Sequence, residues 1–399
     1  MFLVFRRGFT VPDPHGTRML LEGHVMAAWS FILCIVVYVS IGWAKFFHLG
    51  DAPGVPTLAY VLLLIMLFCW GFAAMTFILD RYRFPVLLLL LAWALLTSSP
   101  LYDTDNYFHA LDGNQTPQLP PSAVIRAGKR PSTIVVVAAS GGGIRAAAWT
   151  ARVLTGLEEN SRLAFPNDAN IFGESIRLVS SVSGGSVGAM YFLDEYDSAG
   201  GGLPGRLEDL ESAVGRAESS SLDDIAWGLA YPDLLRLIGP TFGTGFLRML
   251  DRGKALEAAL TRDQPGSQSH LSDGLTLWRP SVAAETRPAV VFNAPVVETG
   301  ERLLLSTTDL RTAVGRRVLS EPQNPQFQGK DVAVVTAARL SASFPYVSPA
   351  ARPDVSGPQF HVVDGGYTDN YGMATLIEWL DAALSAPDNS IQRILVLEI

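Results

Sequence analysis

The chain has 399 residues, enough for two structural units and a sizeable core, and 49% of them are hydrophobic while only 17% are charged. With a mean hydropathy of +0.25, it is too apolar for an ordinary soluble enzyme and suits a globular domain joined to membrane spans. A formal charge of -8 without any clustered run of Lys and Arg excludes a phosphate-neutralising surface, so nucleic acid is no expected partner.

From the N-terminus, no charged residue lies between His24 and Lys45 or from Thr57 to Leu79. At about 1.5 Å per helical residue, either stretch covers a hydrocarbon core of roughly 30 Å. Spans are expected at about 25–44 and 57–79. A third apolar run, 84–99 (FPVLLLLLAWALLTSS), reaches only about 24 Å as a helix, so it crosses a thin bilayer or is re-entrant. Residues 1–99 therefore read as a helical transmembrane region. The other reading of the first segment, a cleaved signal peptide headed by Arg6-Arg7 and Phe9, conflicts with its late apolar start, the missing A-x-A site and the second span that follows. Arg6, Arg7 and Arg18 precede the first span, and Arg81 and Arg83 follow the second, whereas the loop from Lys45 to Pro56 holds one basic residue. That bias puts the N-terminus inside and everything after a third span outside the cytoplasm; a re-entrant third segment would return the rest to the cytoplasm.

Residues 100–131, rich in Pro, Asn, Asp and Gln, read as a linker. From residue 132 to 399, apolar β-branched runs (TIVVVAA, SIRLVSSV, AVVFNA, DVAVVTA, FHVVDGG, RILVLEI) alternate with helical patterns such as AAAWTARVLTGLEE and MATLIEWLDAALS. Such alternation predicts an α/β layered fold with a mainly parallel sheet. The stretch at about 200–262 interrupts this rhythm with acidic helical sequence and then YPDLLRLIGPTFGTGFLRML. It reads as an inserted cap, either packed on the sheet or forming a lipid-facing lip over the site. Cys34 and Cys69 sit in apolar stretches where a thiol acts as a small hydrophobe, and the six histidines are scattered without zinc spacing. Neither a metal nor another cofactor is expected.

Three strand-then-glycine junctions carry the chemistry, because α/β folds place theirs at the carboxyl ends of strands. At the first, Ser140-Gly141-Gly142-Gly143-Ile144-Arg145-Ala146, glycines can turn backbone N–H groups toward a negative oxygen at a helix N-terminus. Gly141-x-Gly143-x-x-Ala146 also fits a dinucleotide fingerprint, but the acid expected about 20 residues on falls inside the following helix, at Glu158 and Glu159. At the second, Ile176 to Val182 runs into Ser183-Gly184-Gly185-Ser186-Val187-Gly188, which reads as a nucleophile elbow. The literal G-x-S-x-G match nominates Ser186. Ser183 is preferred, because it directly follows the apolar run while Ser186 would lie a turn into the helix, its hydroxyl bonding backbone. The third, Phe360 to Asn370, ends a run in Asp364-Gly365-Gly366. No His follows Asp364, and His361 would point to the opposite face of a regular strand. What remains is a dyad in which Asp364 takes the proton from Ser183.

In that order, S-G-G-G-I-R-A, S-x-S-G-G-S and D-G-G-Y-x-D-N resemble the patatin-like phospholipase family. Ala337 to Pro349 (AARLSASFPYVSP) and Asn293 to Gly300 (NAPVVETG) are similar to its further blocks. The resemblance implies a three-layer hydrolase of patatin-like type, with a Ser183–Asp364 dyad and an oxyanion hole from Gly141, Gly142 and Gly143, joined by the N–H of Gly184 after the nucleophile. It further implies Arg145 as an anion contact, metal-independent chemistry and acyl-lipid substrates. Ser181 and Ala146 stand where the family usually has glycine. The family also usually runs beyond RILVLEI, which leaves a truncation after Ile399 open. The expected activity is that of a membrane-anchored serine lipid acyl hydrolase of phospholipase A type, with membrane lipids as partner. The rivals are a non-catalytic membrane scaffold and a hydrolase of small esters or thioesters.

Overall fold

The computed structural model describes residues 10–12, 18–20, 22–47, 55–80, 82–83, 85–97, 105–113, 116–126, 133–166, 171–196, 202–205, 207–238, 250–262, 269–310, 316–317, 327, 329–355, 360–385 and 391–399. They fall into two compact units: Met1–Thr104 with Leu222–Ala255, and Asp105–Ser221 with Leu256–Ile399.

The first unit is built on helices α1 (Glu22–Phe47) and α2 (Thr57–Asp80). Within them Gly23–Lys45 and Thr57–Leu79, 23 residues each, are long and apolar enough to cross a membrane. Both are apolar around their whole circumference and largely uncovered by protein, a pattern suited to hydrocarbon as the solvent. Helix α3 (Val86–Thr97) has 12 residues, a length of about 18 Å. Phe84, Ser98 and Ser99, at the ends of the expected third segment, lie outside the described residues, as do Arg6, Arg7 and Arg81 of the charge-bias argument. The unit also holds the antiparallel pair Thr10–Pro12 and Arg18–Leu20 and an insert, Leu222–Ala255, whose Ala226, Trp227, Ala230, Tyr231 and Ala255 form a small core with Tyr60, flanked by Tyr38, Ile41, Val55 and Leu64.

The second unit holds a six-stranded sheet. Its elements in chain order are β1 (Thr133–Ala139), α4 (Gly143–Ala164), β2 (Ile176–Ser181), α5 (Gly184–Asp194), β3 (Ala289–Pro295), β4 (Arg302–Ser306), β5 (Arg316–Arg317), α6 (Val334–Ser341), α7 (Met373–Leu384) and β6 (Arg393–Glu398). The spatial order is β6-β1-β2-β3-β4-β5. All neighbours are parallel except β3 and β4. Strands β1 and β3 are almost entirely apolar, and β2 is buried throughout, because their faces are covered. On one face Ile134, Val136, Ala138, Leu178 and Val291 pack with Leu376, Trp379 and Ala383 of α7; the alternate residues Val135, Val137 and Val179 are equally buried and turn to the opposite side.

Two of the expected strands take other forms. DVAVVTA is a two-residue strand, Lys330–Asp331, that turns into helix α6. A short apolar run does not separate a buried strand from a buried helix, and every residue of α6 is buried. FHVVDGG makes only isolated bridges, Val362 with Val296 and with Ala351. The sheet is extended instead by RLLLS in β4, which pairs antiparallel with β3 across the turn at Val297–Gly300.

Candidate active site

Register sets the site. Ala139 pairs with Ser181, and Ser181 with Phe292, so β1 and β2 end level with one another while β3 runs on beside them to Pro295. The glycine loop after β1 and the turn after β2 therefore leave the sheet side by side. Helix α4 then begins at Gly143 and α5 at Gly184. The first N–H groups of a helix have no intrahelical partner and carry its positive dipole end, so two such termini converge here. How closely they converge is read from the glycines. A Cβ on Gly184 would lie 1.9 Å from the carbonyl oxygen of Gly143, and one on Gly141 would lie 2.2 Å from Asn370 Oδ1 and 3.0 Å from Ser183 Cβ. Only glycine permits this approach.

Ser183 occupies the N-cap position of α5 with φ 51° and ψ -126°, a backbone that L-residues adopt only when their surroundings hold them there. Those surroundings are specific. The Ser183 N–H donates to both the carbonyl oxygen and the hydroxyl of Ser341, each at 3.2 Å. Its own hydroxyl donates to Asp364 Oδ2 at 2.7 Å. The second carboxylate oxygen, Oδ1, accepts the Gly366 N–H at 2.8 Å, and the Asp364 N–H donates to the Ser343 carbonyl at 3.0 Å. Burial raises the Asp364 carboxyl above the ordinary carboxylate range, against the two hydrogen bonds that act to lower it.

The other expected site residues are placed as follows. Ser186 is fully buried; its hydroxyl donates to Ser341 Oγ at 2.8 Å, and Ser341 Oγ passes its own proton to the Asn293 carbonyl at 2.6 Å. The N–H of Gly141 donates to the Asn370 carbonyl at 2.8 Å, whereas Gly142 and Gly143 stand exposed at the mouth of α4. Arg145 is exposed on the first turn of that helix. His361 turns away from the dyad. Its Nδ1 lies 2.6 Å from Glu298 Oε1 and its Nε2 3.5 Å from Asp105 Oδ1. The Asp105 and Glu298 carboxylates push its pKa up to about 9, so it is an imidazolium at neutral pH.

Sequence reasoning passed over Asn293 as a single residue. Its side-chain amide donates to the Ser181 carbonyl at 3.0 Å and Ser180 Oγ at 3.1 Å, while its Oδ1 accepts from Thr375 Oγ1 at 2.6 Å. It thus ties the strand before Ser183 to the helix after Asp364, and through its carbonyl to Ser341. The available signal was membership of the block NAPVVETG, just as Ser341 belongs to AARLSASFPYVSP.

Fold and site together define a class: an α/β protein of hydrolase type in which an elbow serine is hydrogen-bonded to a buried carboxylate beside a glycine loop. The family model for "Patatin-like phospholipase" matches residues 137–377. The chain belongs to that family, whose domain supports lipid acyl hydrolase activity. No curated protein matches the sequence. Among solved structures the chain is similar to VipD from Legionella pneumophila, with 12% identity and a TM-score of 0.31 over 76% of this chain and 55% of that one; it thus spans little more than half the length of that relative.

Proposed function

We propose that this chain is a membrane-anchored serine lipid acyl hydrolase that works through a Ser183–Asp364 dyad. The observation that carries this reading is the 2.7 Å hydrogen bond from Ser183 Oγ to Asp364 Oδ2, made by a serine held on a left-handed turn at the start of α5. In acyl transfer, Asp364 accepts the hydroxyl proton as Ser183 Oγ attacks the ester carbonyl. The carbonyl oxygen gathers negative charge that the N–H groups of Gly142, Gly143 and Gly184 can meet, since they open two helices within contact of each other. Asp364 then hands the proton to the departing alcohol. Water, deprotonated by the same carboxylate, releases the acyl group and regenerates Ser183. A carboxyl raised by burial is a stronger base than a solvated one, which suits it to both transfers. Gly141, whose N–H is already engaged by Asn370, serves by its lack of a side chain, and exposed Arg145 is placed to meet an anionic head group.

The hydrolase domain runs from about residue 132, after the linker at 100–131. Anchoring by α1 and α2 suits a substrate that never leaves the bilayer, and the basic bias of the N-terminal loops favours a hydrolase on the non-cytoplasmic side. The test is turnover of phospholipid or short-chain nitrophenyl esters by full-length protein with a chelator present, together with fluorophosphonate labelling of Ser183. A folded preparation that neither turns over any ester nor labels would replace this reading by a non-catalytic scaffold.

A further inference from the structure

The insert Leu222–Ala255 interrupts the sequence of the catalytic unit yet folds with α1 and α2. It meets them at the ends joined by the α1–α2 loop. Lys45, in the last turn of α1, pairs with Asp224 at 2.8 Å, both side chains less than a tenth exposed. The neighbouring Asp223 accepts from the backbone N–H of Thr57 at 2.7 Å and its hydroxyl at 2.6 Å. Thr57 is the first residue of α2, so a residue 166 positions away supplies the anionic cap that a helix N-terminus calls for.

From there the insert runs down along α1. The Tyr231 ring stacks on Tyr38 at 4.4 Å and meets Tyr60 edge-on at 6.2 Å. Gly42 makes room for it, since a Cβ there would lie 2.4 Å from the ring. Tyr38 and Lys45 are seven residues apart, about 10 Å along a helix, so the contact reaches roughly two turns in from the loop end. At that depth the backbone departs from the α-helix. Leu229–Asp233 is a π-turn that contains Pro232, and the N–H of Leu234 bonds to Tyr231 rather than to Ala230. The carbonyl of Ala230 accepts from the Tyr38 hydroxyl. The Tyr231 hydroxyl returns a bond to the Tyr38 carbonyl at 2.8 Å. These two bonds tie the irregular turn to α1, and Asp233 in the same turn is paired with Arg252 of the insert at 2.9 Å, as polar groups at membrane depth require partners.

The outward side differs. Leu229, Leu235 and Leu237 are each more than 40% exposed, as are Val36 and Val39 on α1 and Leu58, Val61 and Leu62 on α2. We infer that Leu222–Leu237 is a re-entrant element of the hydrolase, entering the bilayer from the side of the α1–α2 loop and presenting Leu229, Leu235 and Leu237 to lipid acyl chains. This rests on the proposal that α1 and α2 span a membrane, and it adds a third apolar wall, contributed from within the catalytic sequence.

The test places single cysteines in full-length protein lacking Cys34 and Cys69: Leu229→Cys and Leu235→Cys in the insert, Val36→Cys on α1 and Asp112→Cys at an exposed position of the second unit. Each is labelled with bimane and reconstituted into phosphatidylcholine vesicles with or without brominated acyl chains. The insert labels are expected to lose emission in brominated vesicles to the same extent as the Val36 label, with the Asp112 label unchanged. Quenching at Val36 with both insert labels behaving like Asp112 would overturn the inference and leave the anchor standing. An unquenched Val36 label would overturn the anchor, and the inference with it.

Discussion

The two units put their long apolar rows in opposite places. In the catalytic unit, Val136, Val137, Leu178 and Val291 are sealed inside the sheet, together with buried polar groups that include Ser183, Asp364 and Asn293 and the ion pairs Arg216–Asp194 and Arg339–Glu257. In the N-terminal unit, long rows of Leu, Val and Ile face outward while the interior contact holds an ion pair, a capping aspartate and two reciprocal tyrosine bonds. Water stabilises the first arrangement by expelling apolar surface. Against lipid, as proposed, the second gains nothing from that, so loss of a partner in its ion pair, cap or tyrosine bonds should be felt in full.

The sharpest way to break this comparison lies in the catalytic unit. Ser183→Ala should abolish fluorophosphonate labelling and lower kcat by about 10⁶-fold while leaving the thermal unfolding midpoint nearly unchanged; a variant that still labels would move the nucleophile elsewhere. Asp364→Asn should cost about 10⁴-fold in kcat, as for other amide replacements of an acid that serves a nucleophile. Two pH effects accompany it. Because ionised Asp364 is the active form and burial raises its pKa, the acid limb of kcat should fall above the ordinary carboxylate range. The same raised pKa means that folding favours the protonated acid, so stability is fully present below the unfolded-state pKa and declines as pH rises through the folded one. Asp364→Asn, having no proton to lose, should therefore match or exceed the wild-type unfolding midpoint at neutral pH.

Next in size is the N-terminal unit. Lys45→Met leaves Asp224 buried without its cation and should cost about 3–5 kcal/mol in detergent-solubilised protein, whereas Lys45→Met with Asp224→Leu should recover most of it. Equal loss in single and double variants would mean that matching of charge is not what holds the insert. Asn293→Ala orphans the Ser181 carbonyl and Thr375 hydroxyl and should cost about 1–3 kcal/mol. Its slackening of the elbow should lower kcat by about 10²-fold with little change in KM. Smallest is Ser186→Ala, which removes the hydroxyl contacts to Ser181 Oγ and Ser341 Oγ, worth about 1 kcal/mol, and should leave labelling intact.

What could be read from the sequence was whatever is local. The runs TIVVVAA, IRLVSS and AVVFNA are buried strands, mostly apolar because both faces are covered, with Arg177, Ser180, Ser181 and Asn293 as the polar exceptions. Ser183 and Asp364 stood out because each follows an apolar run at a small-residue turn. The reading failed where partners are distant. Asp223 and Asp224 looked like ordinary helix acids, since their partners Thr57 and Lys45 lie far upstream. Asn293 bonds to Ser180 and Ser181 across 113 and 112 positions. DVAVVTA reads as a strand although its Val334–Ala337 opens helix α6, because a short apolar run does not separate a buried strand from a buried helix.

The cap that Asp223 provides for α2 also imposes an order on biogenesis. A ribosome adding about 5–20 residues per second needs roughly 10–35 s to travel from Lys45 to Asp224. For that interval the hairpin of α1 and α2 exists with its lysine, its helix start and its Tyr38 hydroxyl waiting for groups not yet synthesised. Whatever escorts the nascent chain must shelter those groups, and the hairpin is finished only when the insert arrives, past the nucleophile and before the acid.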